Sequence, residues 1–444
     1  MSLEPANPLA VDPLLDDPET RIVVCCGSGG VGKTTTAAAL GLRAAERGRR
    51  VVVLTIDPAR RLAQSMGIDS LDNVPRQVPG IEGKGELHAM MLDMKRTFDE
   101  IVEAHADPER ARAILENPFY QSLSAGFAGT QEYMAMEKLG QLRATDAWDL
   151  IVVDTPPSRS ALDFLDAPKR LGSFLDGKLI RLLMAPAKVG GRAGMKFLNA
   201  GMSMMTGVLG KLLGGQLLRD VQTFVAAMDS MFGGFRTRAD ATFQLLQAPG
   251  TAFLVVAAPE RDALREAAYF VERLGAEKMP LAGLVLNRVH SSGAAQLSAE
   301  QALAAAENLD GGGIVDQSPG KAGLVGNSAP EAATDRATSS GPGSPADQDG
   351  VRADTAAGAE EEKDADEEVP VPVEELTAGL LRLHAERMRL LAREQRTRDR
   401  FTARHPEVPV AEVAALPGDV HDLAGLRAIG TYLAEAGTGP ADEA

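Results

Sequence analysis

Cysteine is almost missing from this chain: two residues in 444, adjacent to one another as Cys25 and Cys26. Neighbouring residues of a strand point to opposite faces and rarely pair, so no disulfide framework can be built. Two thiols also cannot make a four-cysteine zinc site, and both are expected to be buried small hydrophobes. Aromatic residues are scarce, at 4% with a single Trp, so the core must come from Ala, Val, Leu, Ile and Met, which a 44% hydrophobic chain supplies. Positive charge is in deficit: 46 Lys and Arg face 62 Asp and Glu, a net charge of −16. Such a surface has no electrostatic reason to hold nucleic acid or anionic lipid. The longest uncharged apolar candidate, Phe197 to Gly210, is too short to span a bilayer. The first 19 residues place no basic region ahead of an apolar core, so no signal peptide is expected. With no disulfides, a cytoplasmic setting is the default.

What is present is one stretch of glycines around a lysine: Gly27-Ser28-Gly29-Gly30-Val31-Gly32-Lys33-Thr34-Thr35. It follows an apolar run, Arg21 to Cys26, and opens an Ala-rich helical run, Thr36 to Arg47. This is the setting of a phosphate-binding loop. Glycines let the backbone curl so that N–H groups face phosphate oxygens, and the new helix adds its positive end. Lys33 brings a charge to the β- and γ-phosphates, and the Thr34 hydroxyl can ligate Mg²⁺.

The rest of the chain repeats strand and helix. Val51 to Ile56 reads as a buried parallel strand ending at Asp57, and residues 86–93 as another. Residues 96–143 are helical in pattern, broken at Asn117-Pro118. Trp148 to Val153 is a strand ending in Asp154-Thr155-Pro156-Pro157, which fits a Walker B strand whose carboxylate holds the water shell of Mg²⁺. Ala252 to Ala258 and Leu281 to Leu286 are further strands, the second ending at Asn287-Arg288. A long helix, Glu374 to Phe401, a last strand, Val408 to Val413, and a helix, Asp422 to Ala434, close the pattern.

The expected fold class is therefore α/β: a doubly wound, mostly parallel sheet of the P-loop NTPase kind. Residues 1–19 read as a disordered lead-in, 20–161 and 248–293 as two parts of the core, and 372–436 as its C-terminal helix–strand–helix. Between them, 162–247 reads as inserted helices holding seven of the 16 methionines. That segment is either ordinary helical packing or an adaptable apolar groove for a helical or greasy ligand. Residues 294–371 read as an acidic Ala/Gly-rich linker, largely disordered beyond about Asn308, and 437–444 as a tail. In a right-handed parallel sheet Lys33, Thr34, Asp57 and Asp154 meet at one edge, which suggests phosphoryl transfer to water.

The motifs GSGGVGKTT (27–35), TIDPAR (55–60), GTQEYMAMEKL (129–139), VVDTPPSRSAL (152–162), VLNRV (285–289) and LPGDVHDLAGLRAIGTYL (416–433) run in one order along the chain. Together they resemble the ArsA-type anion-transporting ATPase family, which includes arsenite-pump and tail-anchored-protein-targeting ATPases. The resemblance implies a dimeric, Mg²⁺-dependent ATPase with a deviant Walker A loop. Gly27, Ser28, Gly29, Gly30, Val31, Gly32, Lys33, Thr34 and Thr35 would form the nucleotide loop. Thr34 and Asp154 would hold the metal, and Asp57 would orient the attacking water. Asn287 would read the adenine edge with Arg288 beside it, and Pro417 and Gly418, next to Leu416, would flank the base. The Met-rich helices would correspond to the region where relatives carry a client groove.

The family's signature lysine, which reaches the partner's nucleotide across the dimer, is Ser28 here. The Gly-His pair expected in switch II is Arg159-Ser160, and the family's metal-binding cysteines are absent. The expectation is thus an ATP-driven dimeric switch, as a homodimer or with a related subunit. The alternative is a weakly hydrolysing nucleotide-binding subunit that pairs with a lysine-bearing paralogue. A partitioning-type ATPase acting on DNA or membrane is opposed by the acidic balance.

Overall fold

Five consecutive apolar residues form β1 (Ile22–Cys26), and all five are buried. A strand covered on both faces calls for a parallel sheet between two helix layers. The computed structural model describes residues 7–57, 61–123, 130–156, 220, 223–224, 234, 237–311 and 372–435. Its further strands are β2 (Arg50–Thr55), β3 (Arg76–Gln77), β4 (Glu86–Met91), β5 (Leu150–Asp154), β6 (Thr251–Ala257), β7 (Leu281–Val289) and β8 (Val410–Ala414). They form one sheet in the order β3-β4-β2-β5-β1-β6-β7-β8. Every neighbouring pair is parallel except β3 with β4. The sequence expectation of a P-loop NTPase sheet is met.

Alternate residues of each strand feed two cores. On one face Val23, Val51, Val53 and Val152 pack with the Ala-rich α2 (Lys33–Glu46) and with α11 (Leu423–Glu435). On the other, Ile22, Val24, Val52 and Leu54 pack with α4 (Met94–His105), α7 (Thr130–Ala144) and α8 (Arg261–Ala276). Shorter helices are α1 (Val11–Asp16), α3 (Arg61–Ser65), α5 (Pro108–Leu115) and α6 (Pro118–Leu123). The helical region 96–143 is broken more often than its pattern suggested. Asp93 and Asp107 accept the Arg96 and Arg110 amides at 2.9 and 3.0 Å, each starting a new helix as an N-cap does.

All of this lies in one compact unit, residues 1–293 and 390–444; residues 294–389 form a second. The second unit contains α9 (Ala299–Gly311) and the first part of α10 (Val373–Arg404). There His384 Nε2 meets the Leu297 carbonyl at 2.8 Å, and Arg382 pairs with Asp310.

Residues 7–19 are not the disordered segment expected over 1–19, and residues 1–6 lie outside the described residues. Val11 and Leu15, one helical turn apart, are fully buried, and Asp12 receives Arg43 at 2.5 Å. Leu9 N–H donates to Val410 O at 3.1 Å and Val410 N–H to Asn7 O at 2.8 Å, so this segment pairs with the edge strand β8. Its prolines and acids dominate the composition, yet two apolar side chains at the right spacing suffice to anchor it. Within the expected linker, residues 299–311 are helix α9, and 312–371 lie outside the described residues. The Met-rich insertion also lies outside them, apart from helical positions 220, 223–224, 234 and 237–247, as does the tail 437–444.

Candidate functional site

Sheet order builds the site. β5 lies between β1 and β2, and Asp154 is in register with both Cys25 and Thr55. The loop after β1, the end of β5 and the turn after β2 therefore meet at the carboxyl edge, where doubly wound sheets bind ligands.

The loop requires its glycines. A Cβ on Gly27 would lie 2.1 Å from the Val256 carbonyl oxygen of β6, so the chain passes flush against that strand. Gly32, the N-cap of α2, has φ +94°. The Thr36 amide bonds the Gly32 carbonyl at 2.9 Å, so the preceding amides stand at the positive end of a fourteen-residue helix. Lys33 is only 5% exposed and its ammonium donates to the Ser28 carbonyl at 2.8 Å. Burial pulls its pKa down, and the nearby Asp154 charge opposes that pull.

Asp154 is wholly buried, and desolvation pushes its pKa up to about 6 despite two hydroxyl donors and Lys33. Thr34 Oγ1 donates to its Oδ2 at 2.7 Å and Thr55 Oγ1 to the same oxygen at 2.9 Å. Among the described residues Oδ1 has no hydrogen-bond partner. An orphaned carboxylate oxygen beside a threonine hydroxyl is the hard-oxygen chemistry Mg²⁺ takes, so Thr34 and Asp154 fit the metal expected there. Asp57 follows two residues after Thr55, and its amide donates to Thr55 Oγ1 at 3.2 Å. From α7, Gln131 Nε2 holds the Ile56 carbonyl at 2.9 Å.

Two cavities open here. The first, about 490 Å³, is lined by Gly30, Gly32, Lys33, Thr34, Thr35 and Asp57, with Arg61, Gln64, Ser65, Thr155, Arg288, Asp419, Val420 and His421. The second, about 570 Å³, is lined by Asn287, His290, Leu416, Pro417 and Gly418 among others, and shares Gly32, Thr35, Arg288, Asp419 and Val420 with the first. Arg288 sits in the left-handed region, φ +63°, at a register shift between β7 and β8. A non-glycine residue held there is a strained position of the kind that clusters at ligand sites.

The residues expected from the sequence thus divide into groups. Lys33, Thr34, Asp57 and the loop glycine 30 face the first cavity; Asn287, Pro417 and Gly418 face the second; Gly32, Thr35 and Arg288 face both. Asp154 lies behind Thr34 rather than on the cavity wall. Gly27 and Val31 are packing elements of the loop, and Ser28 offers its carbonyl to Lys33. The Asn287 amide is engaged within the chain: Nδ2 donates to the Val31 carbonyl at 2.9 Å, and Oδ1 accepts the Arg288 amide at 3.0 Å. One Nδ2 hydrogen and one Oδ1 lone pair remain for a base edge. Arg159 and Ser160 lie outside the described residues. Cys25 and Cys26 are buried free thiols, and burial raises both pKa values, that of Cys26 to about 12. Among the described residues no group of three or more His, Cys, Asp or Glu is gathered around a metal position, and no helix is long and apolar enough to cross a membrane.

Sequence reasoning gave no role to Thr55, Asp419 and His421, which lie inside the quoted motifs, or to Arg61, next to one. It also missed His290, whose Nδ1 lies 2.6 Å from the buried Glu394 of α10. Nothing local to residue 290 signals a partner 104 positions away.

The family model for anion-transporting ATPases matches residues 20–307. The chain is similar to "ATPase GET3" of Malassezia globosa, 29% identical over 174 residues, covering 39% of this chain and 50% of that protein. It is similar to the ATPase GET3 of Podospora anserina, 27% identical over 282 residues, 62% of this chain and 75% of the relative. With that of Ajellomyces dermatitidis it shares 27% over 291 residues, 65% and 77% of the two chains. Phosphate loop, sheet order and family match agree: this chain belongs to the anion-transporting ATPase family.

Proposed function

We propose that this chain binds ATP with Mg²⁺ and hydrolyses it to ADP and phosphate, as a nucleotide-driven switch. The observation that carries the reading is a buried lysine ammonium at a helix N-terminus, on the wall of a cavity that shares residues with a second. In this reading the first cavity takes the triphosphate. Backbone amides of Gly30, Gly32, Thr34 and Thr35 receive its oxygens and Lys33 the β–γ bridge, where negative charge grows as the bond breaks. The Asp57 carboxylate accepts a hydrogen bond from the attacking water and orients it. Thr34 and Asp154 hold the metal, which when bound neutralises phosphate charge. The base occupies the second cavity between Asn287 and the Pro417-Gly418 turn, and Arg288 spans the two.

The further parts of the reading come from family resemblance: a dimer, closing on ATP, that reshapes an apolar client groove in the Met-rich residues 162–247, in the cytoplasm. Calorimetry of MgATP and MgADP with the wild type and Lys33→Ala tests the core of it. Binding heat and phosphate release are expected from the wild type, and neither from the variant. A wild type that gives no heat with either nucleotide sinks the proposal.

Ser28 favours a second reading, a nucleotide-binding subunit that turns over slowly alone and pairs with a lysine-bearing relative. The isolated chain then binds MgATP but releases little phosphate. Vigorous turnover from the purified chain alone counts against it.

A further inference from the structure

Thr55 is the last residue of β2 and is 1% exposed, after the wholly apolar run Val51 to Leu54. Valine has the same shape and the same preference for strands, so packing alone gives no reason for a hydroxyl here. A buried hydroxyl is costly unless it is bonded, and this one is bonded twice. Its single hydrogen goes to Asp154 Oδ2 at 2.9 Å, since the Asp57 carbonyl, at 3.5 Å, lies at the outer limit. Its lone pair accepts the Asp57 amide at 3.2 Å. One oxygen therefore joins the carboxylate at the end of β5 to the backbone carrying the carboxylate after β2.

The geometry points to Thr55 as a positioning residue of the nucleotide site, its hydroxyl setting Asp154 and Asp57 in one register. The inference rests on the nucleotide reading above. Oδ2 of Asp154 has two donors, Thr34 and Thr55. Thr34 is the one whose hydroxyl is a candidate metal ligand. A Thr34 hydroxyl engaged elsewhere leaves Thr55 to hold Oδ2, with Oδ1 unpartnered on the other side of the carboxylate. Hydrogen-bond partners behind metal-holding groups typically carry about 10–100-fold in metal affinity or activity.

The test uses the full chain as wild type, Thr55→Val and Thr55→Ser. Without nucleotide, amide hydrogen exchange at Asp57 should be faster in Thr55→Val and near wild type in Thr55→Ser. In EDTA, ADP affinity should agree across the three chains within about twofold. With Mg²⁺, Thr55→Val should lose about tenfold or more of the metal-dependent gain in affinity. Its kcat/KM for MgATP should drop by a similar factor or more, and Thr55→Ser should restore both. Unchanged Asp57 exchange together with an intact Mg²⁺ gain in Thr55→Val overturns the inference. So does a Thr55→Ser chain as impaired as Thr55→Val, which would make the role one of packing. A wild type that binds no nucleotide defeats the reading of the site itself, and its own titration shows this before any variant is compared.

Discussion

A methyl group on Gly32 would lie 2.2 Å from Nδ2 of Asn287, so the phosphate loop and the end of β7 fit together only without a side chain at position 32. The contact is also a bond, since Asn287 Nδ2 holds the Val31 carbonyl at 2.9 Å. Gly32→Ala should therefore destabilise the chain by about 1–3 kcal/mol, from the positive φ and the clash together, and abolish nucleotide binding. Adding Asn287→Ala should recover part of the lost stability, because it removes the clashing atom. Thermal unfolding of the two single variants and the double variant checks this; strictly additive losses refute the contact.

Asp154 offers a pH test in the metal-free protein. Its folded pKa, about 6, lies above the usual 3.8, so the fold holds the proton more tightly than the unfolded chain does. Well below pH 3.8 both states are protonated and the buried charge costs nothing. As pH rises through 6 the fold must bury the anion, and this costs up to roughly 3 kcal/mol. Asp154→Asn carries no such charge. In EDTA, its stability relative to wild type should climb between pH 4 and pH 6 and then level off. A flat difference across that window contradicts the burial argument.

Arg288 should separate stability from binding. Its left-handed φ of +63° suits glycine better than arginine. Arg288→Gly should leave the empty chain unchanged or up to about 1 kcal/mol more stable. Its affinity for MgATP should fall about tenfold, the order of one charge-assisted hydrogen bond. Unfolding and calorimetry on the same sample decide; a variant weakened in both, or in neither, tells against an Arg288 that serves the nucleotide.

Arg49 fastens the lead-in to the sheet. Its guanidinium donates to the carbonyls of Leu15, Asp17, Thr20 and Asp149 at 2.7, 3.2, 2.6 and 2.5 Å. Arg49→Ala should cost about 2–4 kcal/mol by leaving buried acceptors unpaired. Arg49→Lys should recover little, since an ammonium lacks the planar fork that reaches several carbonyls. Urea unfolding of both variants measures the difference.

The fold was legible because strand, glycine loop and helix are local signals. Val51 to Leu54 and Leu150 to Val153 are continuous apolar runs, and such runs are buried on both faces in a parallel sheet. The two-residue β3 carries no periodicity and could not be read. The ordered lead-in was hidden for a different reason. Asp12 and Asp16 look like solvated charge until Arg43 and Arg47, a helix away, are seen to pair with them.

Among the site residues, Lys33, Thr34, Asp57 and Asp154 could be named from chain position, since each stands at the end of an apolar run or at the start of a helix. The bonds between them could not. By itself the sequence determined the sheet class, the glycine curl and the acids at the strand ends, because backbone conformation and hydrophobic burial act over a few residues. Only the tertiary structure decided that Thr55 bridges Asp154 to Asp57, that Asn287 clasps the loop, and that Glu394 reaches His290. Those contacts depend on which strands lie side by side, and long-range strand order leaves no mark on the residues that it brings together.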